Sequence, residues 1–229
     1  MTVVAVVPAY NEGKTIKKVI EETMANVDEL IVIDDGSADD TYDKAVENAT
    51  YVIRFRSNRG LGIALKKGIE KALQIGADWI VVLDADGEHN PQEIPQLLNV
   101  AKQKNVDVLL GSRFVKNGRA VKMPFLKRVS NGVGTLLFNF LFRVSLTDSQ
   151  SGFRVYKRRV FELINFVQND MLVNTEILIA AVNRGLTLTE APIISISSGR
   201  KLGNHQIGEI ITYPLLLVRG HGKKFSPEK

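Results

Sequence analysis

Cysteine is absent from the chain. Disulfides and thiolate-held metals are thereby excluded, and any bound cation must rest on oxygen or imidazole ligands. The same absence suits a reducing cytoplasm. No apolar run approaches the roughly 18–20 residues needed to cross a bilayer. Residues 3–7, the apolar stretch behind Met1-Thr2, are too short for a secretory signal and have no basic leader. A cytoplasmic protein that does not span a membrane is therefore expected. Internal repeats, low-complexity tracts and a clear linker are also missing, so residues 1–229 are read as one domain. The basic residues of the second half lack interleaved aromatics, which leaves nucleic-acid binding unsupported.

The net charge of +5 hides an asymmetry. Residues 1–112 hold 12 lysines and arginines against 18 aspartates and glutamates, a net of −6; residues 113–229 hold 18 against 7, a net of +11. An acidic half can hold a cation, and a basic half favours phosphates or anionic lipid.

Short apolar runs at 3–7, 30–33, 51–55, 79–83 and 106–110 are rich in Val, Ile and Leu, as strands buried on both faces require. Amphipathic stretches at 15–24, 61–75 and 91–104 separate them. Such alternation predicts an α/β fold with a doubly wound, mostly parallel sheet. Ser37-Ala38-Asp39-Asp40 resembles a capping box opening a second helix, and Pro91 sits where a helix can begin. In the second half, 133–142 and 176–183 read as helices, 187–196 alternates like a strand, and 207–218 is a last apolar stretch before Arg219, Lys223 and Lys224.

Ligands of an open α/β sheet bind beyond the carboxyl ends of its strands, and three predicted strands end in acidic loops. They are Pro8-Ala9-Tyr10-Asn11-Glu12, Asp34-Asp35-Gly36-Ser37 and Asp84-Ala85-Asp86-Gly87-Glu88. Carboxylates gathered so closely repel one another unless a cation joins them. Asp84, Asp86 and Glu88 alternate, so they can point to one side. Their oxygens suit Mg²⁺ or Mn²⁺, which usually take one or two protein carboxylates together with substrate phosphates.

These loops, with Gly111-Ser112-Arg113, resemble the ordered motifs of inverting glycosyltransferase family 2, which has the A-type nucleotide-sugar-binding fold. Asp148-Ser149-Gln150-Ser151-Gly152-Phe153-Arg154, Glu176, Glu190-Ala191-Pro192, Arg200 and Gly203 extend the resemblance to dolichyl- or polyprenyl-phosphate sugar synthases. The resemblance implies that Pro8, Tyr10, Glu12 and Asp35 hold the nucleoside of a nucleotide sugar. Asp84 and Ala85 then sit near ribose and diphosphate, while Asp86 and Glu88 coordinate the metal. Glu88 departs from the Gln common at that position and adds negative charge. Asn58-Arg59-Gly60-Leu61-Gly62 matches a further family loop or a glycine-rich turn before a helix.

For transfer to a phosphate, the family motif points to Arg113, and Lys127 and Arg128 compete for one further position in the phosphate clamp. The resemblance gives Arg200 a contact to the diphosphate or acceptor phosphate, and Asp86, Arg113 and Arg200 are the expected catalytic groups. The late loop departs from Arg-x-x-Gly-x-Ser-Lys: it reads Arg200-Lys201-Leu202-Gly203-Asn204-His205-Gln206. His89 is read as a loop residue rather than a ligand. Asp148 is read as structural rather than as a base, with Arg154 expected to pair with a carboxylate.

The expected reaction moves a hexose from GDP-mannose or a UDP-hexose to a polyprenyl or dolichyl phosphate. The alternative is transfer to a sugar hydroxyl in polysaccharide or glycan synthesis, which needs a carboxylate base, with Asp148 and Asp170 the candidates. The apolar stripe Val133, Leu136, Leu137, Phe140 and Leu141, near Lys122, Lys127, Arg128 and Arg143, fits either core packing or peripheral attachment to a membrane surface.

Overall fold

The computed structural model describes residues 1–197. Arg200, Gly203, Gln206 and the stretch 207–218 lie outside the described residues.

Each short apolar run of the first half forms a strand: β1 (Val3–Ala9), β2 (Glu29–Asp34), β3 (Tyr51–Arg54), β4 (Trp79–Val82) and β5 (Val108–Ser112). Helices α1 (Ile16–Met24), α2 (Thr41–Asn48), α3 (Leu61–Gln74) and α4 (Ile94–Gln103) connect them. A single 3-10 turn at Pro91–Glu93 leads into α4, with the Asn90 side chain accepting the Gln92 amide. Proline fits there because its missing N–H has no partner to lose. The expected capping box is not formed. Ser37 instead accepts the Asn11 amide, and Asp39 accepts both the backbone and hydroxyl protons of Thr41.

The second half adds β6 (Arg119–Val121), α5 (Phe125–Phe142), β7 (Arg154–Lys157), α6 (Arg158–Leu163), α7 (Val173–Asn183), β8 (Leu188–Pro192) and β9 (Ile194–Ile196). The stretch 187–196, expected as one strand, is two. Pro192 cannot donate to a ladder, the Ile193 amide turns to the Ser112 carbonyl, and β9 leaves to pair with β6.

The main sheet runs β3-β2-β1-β4-β7-β5-β8, all parallel except β7, which is antiparallel to β4 and β5. Strands from both halves of the chain therefore share one sheet. Alternate residues of the central strands feed two cores. Val4, Val6, Ile31 and Ile33 pack with Leu65 and Ile69 of α3 and with Phe138 and Ile177. Val3, Ala5, Val7 and Val32 face Ile16 and Ile20 of α1 and Leu97 of α4 on the other side. Burial on both faces is the reason these strands read as unbroken apolar runs. The chain reverses its winding between β1 and β4, and a crevice at such a switch point is where this architecture receives ligands.

Candidate active site

Three loops meet at that switch point. Register sets Ala9 of β1 against Asp34 of β2, so these ends lie level, and Val6 against Val82 of β4, which ends three residues earlier and leads into the acidic loop. Pro8 and Ala9 are buried at the end of β1, and Tyr10 is exposed at the rim. Asn11 takes a left-handed φ of 55°, which asparagine tolerates better than most residues. Its amide donates to Ser37 Oγ, and its side-chain oxygen accepts the Ala38 amide. Glu12 is buried; its amide donates to Thr41 Oγ1 at 2.8 Å, while its carbonyl accepts the Thr15 and Ile16 amides. The β1 loop is thus stitched to the β2 loop.

Asp35 is buried, with Oδ1 accepting the Arg59 amide at 2.7 Å and Oδ2 the Gly60 amide at 2.9 Å. Burial pushes its carboxyl above the ordinary value despite these two donors. Asp35 therefore ties down the entry to α3 from just beyond β2. Gly60 needs its positive φ of 96° and passes under the Asn169 carbonyl, so the glycines of this loop answer to packing.

Beyond β4, the acidic loop holds its own shape. The Ala85 carbonyl accepts Thr15 Oγ1 at 2.8 Å, and Asp86 Oδ1 accepts the Glu88 amide at 2.9 Å. Burial, then the neighbouring Asp84 and Glu88 charges, push Asp86 up to about 6. Burial alone would raise the Asp84 carboxyl, but the adjoining His89 imidazole, with the Arg154 and Lys127 charges, holds it below its ordinary value. Among the described residues, no three acidic or imidazole groups are already arranged to hold a metal. Mg²⁺ and Mn²⁺ do not require such a set when substrate phosphates complete their shell. Asp86 and Glu88 offer the hard oxygens, and the mutual repulsion recorded in the raised Asp86 carboxyl is what a cation would relieve. The residues fit the ion.

The second half brings its charges to this loop unequally. Lys127, in the first turn of α5, lies 3.8 Å from Glu88 Oε2. Arg128 is exposed, its guanidinium 5.7 Å from the Phe114 ring. Arg113 is buried in a bidentate pair with Asp148, Nε to Oδ2 at 2.7 Å and Nη2 to Oδ1 at 2.8 Å. The Asp148 amide in turn donates to Glu190 Oε1. Among the described residues Arg154 pairs with no carboxylate, contrary to expectation. It is fully buried and donates to the carbonyls of Ser149, Ser151 and Asn174, because the turns around it present carbonyl oxygens. Asp170 accepts the Leu172 amide ahead of α7.

A model of the family described as glycosyl transferase family 2 matches residues 4–164. The chain belongs to glycosyltransferase family 2. The enzyme is 33% identical to the UDP-N-acetylglucosamine–dolichyl-phosphate N-acetylglucosaminyltransferase of Methanococcus voltae, over 93% of this chain and 94% of that one. It is 30% identical to the polyprenol monophosphomannose synthase of Mycolicibacterium smegmatis, over 82% and 75%. Glucosyl-3-phosphoglycerate synthase from Mycobacterium tuberculosis, solved with UDP, shares the fold. Its TM-score is 0.73 at 22% identity, covering 94% of this chain and 79% of that one. Another crystal of that protein contains Mn²⁺, UDP and phosphoglyceric acid.

His89 is a loop residue, as read from the sequence, but its burial was not anticipated. It is buried against the Phe153 ring with Nε2 3.6 Å from Asp84 Oδ2. Only its spacing from Asp84 could have signalled this.

Proposed function

We propose that the enzyme transfers a hexose, with inversion, from GDP-mannose or a UDP-hexose to a polyprenyl or dolichyl phosphate. In this reading residues 1–229 form one catalytic domain, nucleotide-binding in 1–112 and acceptor-facing in 113–229. The observation that carries it is the meeting of an acidic loop at the switch point with Lys127, on a helix whose outer face is apolar. Phe125, Val129, Val133, Leu136 and Phe140 of α5 follow helical spacing and are 81, 44, 62, 70 and 79% exposed. Lys122, Arg128 and Arg143 are exposed around them. Exposed apolar residues in such a stripe, rimmed by cations, suit an anionic lipid interface. The names of the Methanococcus and Mycolicibacterium relatives support the same class of acceptor.

Pro8, Tyr10, Glu12 and Asp35 receive the nucleoside, and Asp84 and Ala85 face the ribose and diphosphate. Asp86 and Glu88 would hold Mg²⁺ or Mn²⁺, which would supply Lewis-acid stabilisation to the departing nucleoside diphosphate. A phosphate monoester, with a second pKa of about 6, is already largely ionised at neutral pH and needs no base to attack. The carboxylates considered as bases are engaged elsewhere, Asp148 by Arg113 and Asp170 by the Leu172 amide. Lys127 and Arg128 offer charge to the incoming phosphate, and Arg113, through its pair with Asp148, stiffens the strand end beside them. Arg200 is assigned to the diphosphate by family resemblance alone.

The test mixes the protein with Mg²⁺ or Mn²⁺, radiolabelled nucleotide sugars and a short polyprenyl phosphate, and counts organic-extractable label. Metal-dependent label that disappears in Asp86→Ala supports the proposal. Label appearing only on an added saccharide would overturn the lipid acceptor. Attachment at the cytoplasmic face predicts binding to anionic vesicles, and recovery wholly in the soluble fraction with no vesicle binding would refute it.

A further inference from the structure

The Asp84 carboxylate is held from two sides by groups outside the acidic loop's own hydrogen bonds. On one side the backbone of Gly152 passes so close that a Cβ there would lie 2.5 Å from Asp84 Oδ2. On the other, His89 Nε2 lies 3.6 Å from the same oxygen. The imidazole has little freedom. It is buried, its centroid is 5.4 Å from that of Phe153 at 45°, and its backbone bridges to Ser195. Glu93, at the end of the following turn, has one oxygen bound by the Ile194 amide.

The His89 Nδ1 atom is buried with no hydrogen-bond partner among the described residues. An imidazole packed for its own stability would bond through both nitrogens, since a buried polar atom without a partner costs free energy. Nε2 is the ring nitrogen on the Asp84 side, 3.6 Å from Oδ2. The ring is therefore placed for what Nε2 does.

We propose that His89 is a positioning residue of the donor site: it fixes the Asp84 carboxylate against Gly152 so that its outer oxygen meets the donor diphosphate and ribose in one orientation. The inference rests on the proposed donor site and concerns nucleotide affinity, which can be read without any acceptor. Partners that orient a site carboxylate in this way typically change affinity 10–100-fold when removed.

The experiment titrates full-chain protein with GDP and with UDP in the presence of Mn²⁺ by calorimetry, and records thermal melting alongside. His89→Phe fills the same space against Phe153 without an N–H, and should weaken binding of the preferred nucleotide about 10-fold or more with little change in Tm. His89→Gln, which can still donate, should recover much of that loss. Gly152→Ala, pushing Asp84 from the opposite side with His89 intact, should weaken binding as well, which keeps the test alive if His89→Phe folds poorly. Equal nucleotide affinity in wild type, His89→Phe and Gly152→Ala would overturn the inference. So would a Gln variant that melts like wild type yet binds no better than Phe. Wild type that binds neither nucleotide would overturn the donor-site reading beneath it, a result distinct from the other two.

Discussion

Residues 1–112 and 113–197 both bury charged side chains, but they differ in how much apolar surface they leave in the open. The first region packs Val, Ile and Leu inside the sheet and buries Glu12, Asp34, Asp35 and Asp107 around the strand ends. The second buries Arg113, Asp148 and Arg154 and leaves Phe125, Leu136 and Phe140 in the open. A water-facing surface does not reward such an apolar stripe, because its exposed area is uncompensated. It suits a face that meets something less polar than water.

The comparison breaks most visibly at Asp86. Asp86→Asn should lower transfer by about 100- to 1000-fold or more, the scale of losing one stabiliser of transition-state charge. It should not destabilise the fold. A carboxyl whose folded pKa is raised from 3.8 to about 6 makes the protein less stable as pH rises through that interval. Asp86→Asn should therefore melt higher than wild type above pH 6, and the advantage should vanish near pH 4. Melting curves at pH 4 and 8 decide it, and an Asn variant that melts lower at pH 8 would contradict the electrostatic account.

The buried pair of the second region should be the costliest structural contact to break. Asp148→Ala leaves Arg113 buried without its partner, and should cost about 3–5 kcal/mol in urea unfolding. Leu136→Ser with Phe140→Ser on the outer face of α5 should change stability by only about 0.5 kcal/mol or less per site. That double variant should nevertheless lose binding to anionic vesicles. If it lost stability instead, the α5 face would be packing surface, and the contrast between the two regions would fail.

A smaller effect lies at the far edge of the sheet. Asp107 accepts the Arg159 guanidinium and the Thr187 amide and hydroxyl. Although burial opposes it, these partners hold its carboxyl down at about 2. A depressed carboxyl stabilises the fold above its unfolded pKa and loses that contribution as pH falls. Wild type should outlast Asp107→Asn above about pH 4 and match it near pH 2, with Arg159's exposure keeping the difference modest. Acid unfolding followed by circular dichroism measures it. An undiminished gap at pH 2 would show that the contact does not act through charge.

The five strands of the first half were legible because burial on both faces writes itself as a local run of Val, Ile and Leu. The acidic loops were legible because strand ends fall where those runs stop. Glu176 and Glu190 showed only as motif residues, and their work is local scaffolding: Glu176 accepts the Val167 and Gln168 amides, and Glu190 holds Thr147 and Asp148. The stripe on α5 was visible too, but periodicity alone does not say whether an apolar face is covered. The stretch 187–196 misled because its alternation continues across Pro192, where the chain changes sheets.

Sequence by itself determined the layered fold, the three loops at one rim and the family, since each is carried by neighbours in the chain or by motifs in order. Tertiary structure alone decided the partnerships. Arg113 with Asp148, Lys127 with Glu88 and the carbonyls around Arg154 are choices among many charges of similar type. So is the tight passage of Gly152 past Asp84. The two ends of the Arg113 pair lie 35 residues apart, and Gly152 and Asp84 come from different halves of the chain. Which cation meets which anion is set by burial and by the strand order that inserts β7 between β4 and β5, and a linear pattern carries no trace of either.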